Sequence, residues 1–321
     1  MEHWEGCISP TPPFSLALTA GYQTAFQGQV GADTFQNGVF SRLLVRHTRP
    51  LLVRITTLSH PEDPDHPSLG IQVVGPTLSP QDTAWAMERA EWILNTSADL
   101  KPFYAHIRSD PVLGPALGLL YGLHPPRMPS LFESLVFAIC GQQVSAGVAR
   151  HIRTRLVEQF GESLEWNGQV RRAFPSPERI LKAGRGGLRS VGLSERKVEY
   201  ILECARQAVE GLLPLEDMGL GHPQQMRERL LRLRGVGQWT VEWVFLRGLG
   251  HPGVFPAGDL ALQRLLARLY TGGAPLDAEG AQALAQRWGP WKGYAAVLLF
   301  AGARLGIWET LSRRSAPSVP V

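Results

Sequence analysis

Residues 230–250 read LLRLRGVGQWTVEWVFLRGLG. Two apolar patterns of helical period flank Gly235-Val236-Gly237, and a helix does not run on smoothly through two glycines set so close together. The stretch therefore predicts two short helices joined by a tight turn, the second beginning near Gln238. Gly235 and Gly237 are both free to take positive φ and to let backbone N–H groups approach a ligand with no Cβ in the way. The first turn of the second helix, with Gln238 and Thr240, presents unpaired N–H groups and the positive end of its dipole to an anion such as a phosphate. Glycine turns between helices are common without any ligand, so this turn gains meaning only from its surroundings.

Downstream, VFPAGDLALQRLLARL at 254–269 sets one carboxylate, Asp259, at the head of an apolar helix. Two readings of Asp259 stand together. As an N-cap it satisfies free helix N–H groups. As a fixed anion in a cleft it stabilises positive charge that develops in a transition state. Trp239 and Trp243 are four apart on the helix that follows the turn, so they share a face, either as core packing or as the walls of a site.

The pair LRGVGQWTVEWV and FPAGDLAL resembles the helix–hairpin–helix (HhH-GPD) glycosylase superfamily, in which the hairpin is followed by a Gly/Pro-rich loop ending in an essential Asp. ICGQQVSAGVA at 139–149, GLSERKVEYILECA at 192–205 and RWGPWKGYAAVLLFAG at 287–302 follow the family's order and resemble the bacterial 3-methyladenine-DNA glycosylase II branch. The resemblance implies an enzyme that flips an alkylated base, such as 3-methyladenine or 7-methylguanine, out of duplex DNA and hydrolyses its N-glycosidic bond. Asp259 is then the catalytic carboxylate. Trp239 and Trp243 fall on pocket-wall positions, with Tyr22 (from PPFSLALTAGY) and Phe300 as further walls. Gln143 stands where the family inserts a wedge into the emptied stack; an apolar residue is more usual there, and glutamine would add hydrogen bonding to the orphaned base. Gly235, Gly237, Gln238 and Thr240 contact DNA phosphate. The carbonyls of Leu231, Leu233 and Val236 are where the family holds a monovalent cation, Na or K. No other cofactor is required.

Two alternatives remain open at this stage. A bifunctional glycosylase/lyase needs a lysine two residues after the second hairpin glycine, and Trp239 is there. A non-catalytic hairpin protein that binds damage would have no need of Asp259.

Outside these motifs, Phe14 to about Gly75 reads as β, with FSLALT, GVFSRLLVR, PLLVRITTL and LGIQVVG as strands, although residues 16–27 also admit a short helix. From Ser79 onward the chain reads almost wholly helical, with helices expected at 99–107, 111–119, 129–140, 144–160, 177–182, 194–211, 223–233, 238–249, 259–270, 277–287 and 292–305. The expected class is α+β: an N-terminal antiparallel sheet domain over 1–100, TBP-like in that the resemblance implies such a small sheet, helical glycosylase domains over 101–310, and a polar tail over 311–321. The 321 residues are 44% hydrophobic, enough for two cores. No apolar run reaches membrane-spanning length, and MEHWEGCISP lacks a basic start and an apolar core, so a cytoplasmic, nucleoid-associated and monomeric protein is expected. Cys7, Cys140 and Cys204 are too scattered for a zinc or iron–sulfur cluster. A net charge of +4 permits a polyanionic partner. Arg150, His151, Arg153 and Arg155 suggest a basic helix surface behind the wedge.

Overall fold

A computed structural model describes residues 1–60, 63–213 and 222–315. The elements run β1 (Glu2–Ile8), α1 (Leu16–Gln23), β2 (Gln29–Val30), β3 (Asp33–Gln36), β4 (Val39–Arg46), β5 (Arg49–Thr57), β6 (Leu69–Gly75), α2 (Pro80–Leu94), α3 (Lys101–Ile107), α4 (Leu113–Leu120), α5 (Leu131–Gly141) and α6 (Ala146–Phe160). They continue with β7 (Ser163–Trp166), β8 (Gln169–Arg172), α7 (Pro177–Ser190), α8 (Glu195–Val209), α9 (Pro223–Leu231), α10 (Gln238–Arg247), α11 (Leu260–Tyr270), α12 (Ala278–Ala285), a 3-10 turn at Gln286–Trp291, α13 (Lys292–Arg304) and α14 (Ile307–Ser315). The α+β class is borne out.

Six strands form one antiparallel sheet in the order β1-β6-β5-β4-β3-β2. The adjacent apolar pairs Leu43-Leu44, Leu51-Leu52 and Val73-Val74 look wrong for a half-exposed strand, where polar and apolar residues alternate. Both faces are covered. Leu44, Leu51 and Val73 pack with Ala86, Ala90 and Ile93 of α2, while Leu43, Leu52 and Val74 pack with Leu164 and Ala173 around the β7–β8 hairpin. That hairpin falls in the gap between the helices expected at 144–160 and 177–182, where no strand was expected. The expected FSLALT strand is instead α1, started by the Ser15 hydroxyl, which accepts the Leu18 N–H at 3.3 Å. Six alternating residues were too short a signal to outweigh a good N-cap. β1 pairs with β6 from Glu2↔Gly75 to Ile8↔Leu69 and was not expected, because its sequence EHWEGCI lacks alternation of apolar and polar residues. The expected polar tail over 311–321 is helical as far as Ser315, and 316–321 lie outside the described residues.

Two helical cores flank a seam. One joins α3, α4 and α11–α14 and takes in Tyr22 from α1; the other joins α5–α10. Helix α10 serves both, with Leu246 in the first core and Val241, Val244 and Phe245 in the second. Its remaining face, carrying Trp239 and Trp243, is half-buried. A buried ion cluster ties the sheet to the second core: Arg42 donates to Asp33 at 2.8 Å and to Glu133 of α5 at 2.5 Å.

Candidate active site

The hairpin between α9 and α10 is closed by the Val236 N–H donating to the Leu233 carbonyl at 3.1 Å. Its two glycines have different reasons to be glycine. Gly235 has φ +81°, and a Cβ there would lie 2.1 Å from the Tyr200 ring. Gly237 does not take positive φ: it sits at φ −98°, ψ −179° as the residue before α10, and a Cβ would meet nothing within 4 Å. The protein itself therefore demands glycine only at Gly235; at Gly237 the open space lies toward whatever approaches the helix start. Gly235→Ala should accordingly lower the unfolding midpoint. Gly237→Val should leave it nearly unchanged and weaken binding to any duplex, damaged or not. Titration of an undamaged duplex beside a thermal melt distinguishes the two, and a Gly237→Val protein that loses only lesion discrimination would contradict a phosphate-facing role.

Asp259 caps α11 as expected. Its Oδ1 accepts the N–H groups of Ala261 and Leu262, both at 3.0 Å. Its Oδ2 accepts the indole N–H of Trp239 at 3.0 Å and of Trp243 at 3.1 Å. Four donors thus fix one carboxylate in place, and the N-cap and fixed-anion readings coexist geometrically. The FPAG loop supports it from below, with the Asp259 N–H donating to the Pro256 carbonyl at 2.9 Å and the Gln263 side chain to the Ala257 carbonyl at 2.7 Å.

The two indoles meet edge to face, centroids 6.4 Å apart, and Trp243 lies 5.9 Å from the Phe300 ring, so Trp239, Trp243 and Phe300 form one aromatic surface beside Asp259. Tyr22 is set behind it. Only 1% exposed, its ring is clamped between the guanidinium groups of Arg247 at 5.0 Å and Arg304 at 4.6 Å, each one turn beyond Trp243 and Phe300 respectively. Among the described residues no guanidinium stacks on Trp239, Trp243 or Phe300.

Gln143 is exposed, with φ +54°, in the loop between α5 and α6. The end of α5, just before this loop, lies against the aromatic surface, since a Cβ on Gly141 would be 3.6 Å from the Trp239 ring. The basic face expected on α6 is smaller than the sequence suggested. Arg153 turns inward over the Phe137 ring at 3.2 Å and donates to the Phe137 carbonyl; burial, with Arg247, Arg304 and Arg150 near it, lowers its pKa to about 10. Among the described residues no group of three His, Cys, Asp or Glu side chains could hold a metal. No helix among the described residues is long and apolar enough to cross a membrane.

Sequence reading missed Gln142, whose side-chain amide donates to the Gly235 carbonyl at 2.8 Å and to the Thr240 hydroxyl at 3.0 Å. It also missed the arginine pair around Tyr22, which follows the aromatic positions at i+4 on two separate helices.

Comparison with known proteins bears on this geometry. Residues 136–290 match the family described as HhH-GPD superfamily base excision DNA repair protein, a span that holds the hairpin, Gln143 and Asp259. A DNA-3-methyladenine glycosylase of Bacillus subtilis is 31% identical over 210 residues, covering 65% of this chain and 69% of that protein. A solved 3-methyladenine DNA-glycosylase from Archaeoglobus fulgidus is 29% identical and superposes with a TM-score of 0.80, covering 94% of this chain and 99% of that one. A Schizosaccharomyces pombe 3-methyladenine DNA glycosylase solved with abasic DNA is 25% identical at a TM-score of 0.54, covering 64% of this chain and 97% of its own. With the glycine hairpin, the FPAG loop and the capped aspartate all inside the matched span, the chain belongs to the HhH-GPD superfamily of base excision DNA repair proteins.

Proposed function

We propose that this protein is a monofunctional DNA glycosylase that hydrolyses the N-glycosidic bond of flipped alkylated purines, 3-methyladenine and 7-methylguanine among them, in duplex DNA. The observation that carries this reading is the Asp259 carboxylate, held by two indole N–H groups and the start of α11 at the edge of an aromatic surface. Breaking the C1′–N bond builds oxocarbenium-like charge on the sugar, and a fixed anion stabilises that charge more in the transition state than in the ground state. Asp259 also orients or deprotonates the attacking water. A single carboxylate suffices because an N3- or N7-alkylated purine is already cationic and leaves without a general acid, unlike the leaving groups handled by the paired carboxylates of sugar glycosidases.

In this reading Trp239, Trp243 and Phe300 line the base pocket, and Tyr22 shapes it from behind. Gln143 fills the emptied stack. The hairpin amides at Gly235, Gly237, Gln238 and Thr240 grip phosphate, with a Na or K ion on the Leu231, Leu233 and Val236 carbonyls stiffening the turn. Residues 1–100 and 101–310 act as the sheet and glycosylase domains of a cytoplasmic monomer that associates with the nucleoid through DNA.

The lyase alternative turns on one position. Trp239 stands where a Schiff-base lysine would be needed, and its indole N–H is committed to Asp259. Borohydride added to the protein on abasic duplex should trap no covalent species. A stable cross-linked band on a gel would move the protein to the bifunctional class.

A further inference from the structure

The left-handed backbone of Gln143 is a conformation that side chains with a Cβ rarely adopt, and it persists only where the surroundings dictate it. Those surroundings lie on both sides of the loop. Ahead of it, the last turn of α5 is pinned by Arg153 on the Phe137 carbonyl and by the Lys197 ammonium on the Cys140 carbonyl at 3.1 Å. Behind it, the Ser145 hydroxyl caps α6 by accepting the Val148 N–H at 3.3 Å. The residue immediately before Gln143 links the loop to the glycine hairpin. Gln142 sends both hydrogen bonds of its half-buried amide across to the other motif, one to a carbonyl within the glycine hairpin and one to buried Thr240 on the helix that bears both tryptophans.

We infer that Gln142 is a positioning residue that ties the wedge to the phosphate grip, so that the hairpin's hold on the backbone sets the height at which Gln143 enters the stack. This rests on the glycosylase reading. Its cause is geometric: a short loop fixed at both ends moves with the hairpin only if something joins them, and the Gln142 amide joins them at 2.8 and 3.0 Å. The hairpin can still bind phosphate without it, and Asp259 is held by other groups altogether.

Gln142→Met keeps length and packing and removes both donors; Gln142→Glu keeps shape and sets a carboxylate against the Gly235 carbonyl. Single-turnover release is measured on one duplex with the lesion paired and on another with the same lesion in an unpaired bulge, where extrusion needs no wedge. Both variants are expected to slow release from the paired duplex by about tenfold or more and to stay within about twofold of the parent on the bulge. In a Gln143→Ala background, Gln142→Met should cost nothing further on the paired duplex, as residues acting through one another are non-additive. Equal losses on both duplexes, or losses that multiply with Gln143→Ala, would overturn the coupling. A parent protein that releases alkylated base from neither duplex would instead overturn the glycosylase reading itself.

Discussion

Asp259→Asn should release alkylated bases at least about 100-fold more slowly than the parent while binding duplex DNA with unchanged affinity, the signature of losing an interaction made mainly in the transition state. The geometry explains why an isosteric change is so costly. Each carboxylate oxygen accepts two N–H groups, one set from the start of α11 and the other from Trp239 and Trp243. An amide offers one acceptor oxygen, so it can cap the helix or receive the indoles, and its NH2 group faces donors on the other side. A conflict of that kind costs about 1–3 kcal/mol, so a modest drop in stability is expected as well. Single-turnover release beside a filter-binding titration separates the effects, and turnover within about tenfold of the parent would remove Asp259 from the chemistry.

The second large effect concerns which bases are taken. Trp243→Ala should slow cationic alkylpurines about tenfold more than neutral lesions, because a positive base over an indole gains roughly 0.5–2 kcal/mol over its neutral counterpart. The faces of Trp239, Trp243 and Phe300 carry no protein guanidinium among the described residues, whereas Tyr22 already carries two. The exposed Arg304 opposes a cationic base from one turn beyond Phe300. The buried Arg247 opposes it likewise from one turn beyond Trp243; Asp259 favours it from direct contact with both indoles at about 3 Å, and the charge nearest the base prevails. Trp243→Ala also removes a donor from Asp259, so every substrate slows and the ratio is the quantity to read. Equal slowing of 7-methylguanine and a neutral lesion would mean that the ring serves only to hold the carboxylate.

Much of this site was legible in the sequence because its determinants are local. Gly235-Val236-Gly237 fixed the hairpin and Gln238 the start of α10, and Asp259 before LALQRLL gave the start of α11. What escaped reading depended on partners distant in sequence. Gln142 and Gly235 are far apart in the chain, and a glutamine beside a glycine does not announce its acceptor. Arg153 reads as solvated until Phe137 and the end of α5 are folded over it. The β7–β8 hairpin is a different case: Asn167-Gly168 takes positive φ at both residues, 48° and 70°, and such a dipeptide between short runs was a usable turn signal that the surrounding helical pattern obscured. Tyr22 was read as a pocket wall because its segment matched; its burial under the guanidinium groups of Arg247 and Arg304 depends on the packing of α10 and α13.

Abasic-site formation on a panel of otherwise identical duplexes, each carrying one lesion, decides whether the aromatic surface and Asp259 together excise cationic alkylated purines. Abasic sites, with strands left intact, are expected from 3-methyladenine and 7-methylguanine, with much slower release of neutral 8-oxoguanine. Release of 8-oxoguanine as the fastest substrate, or release of no alkylated base at all, would contradict that role.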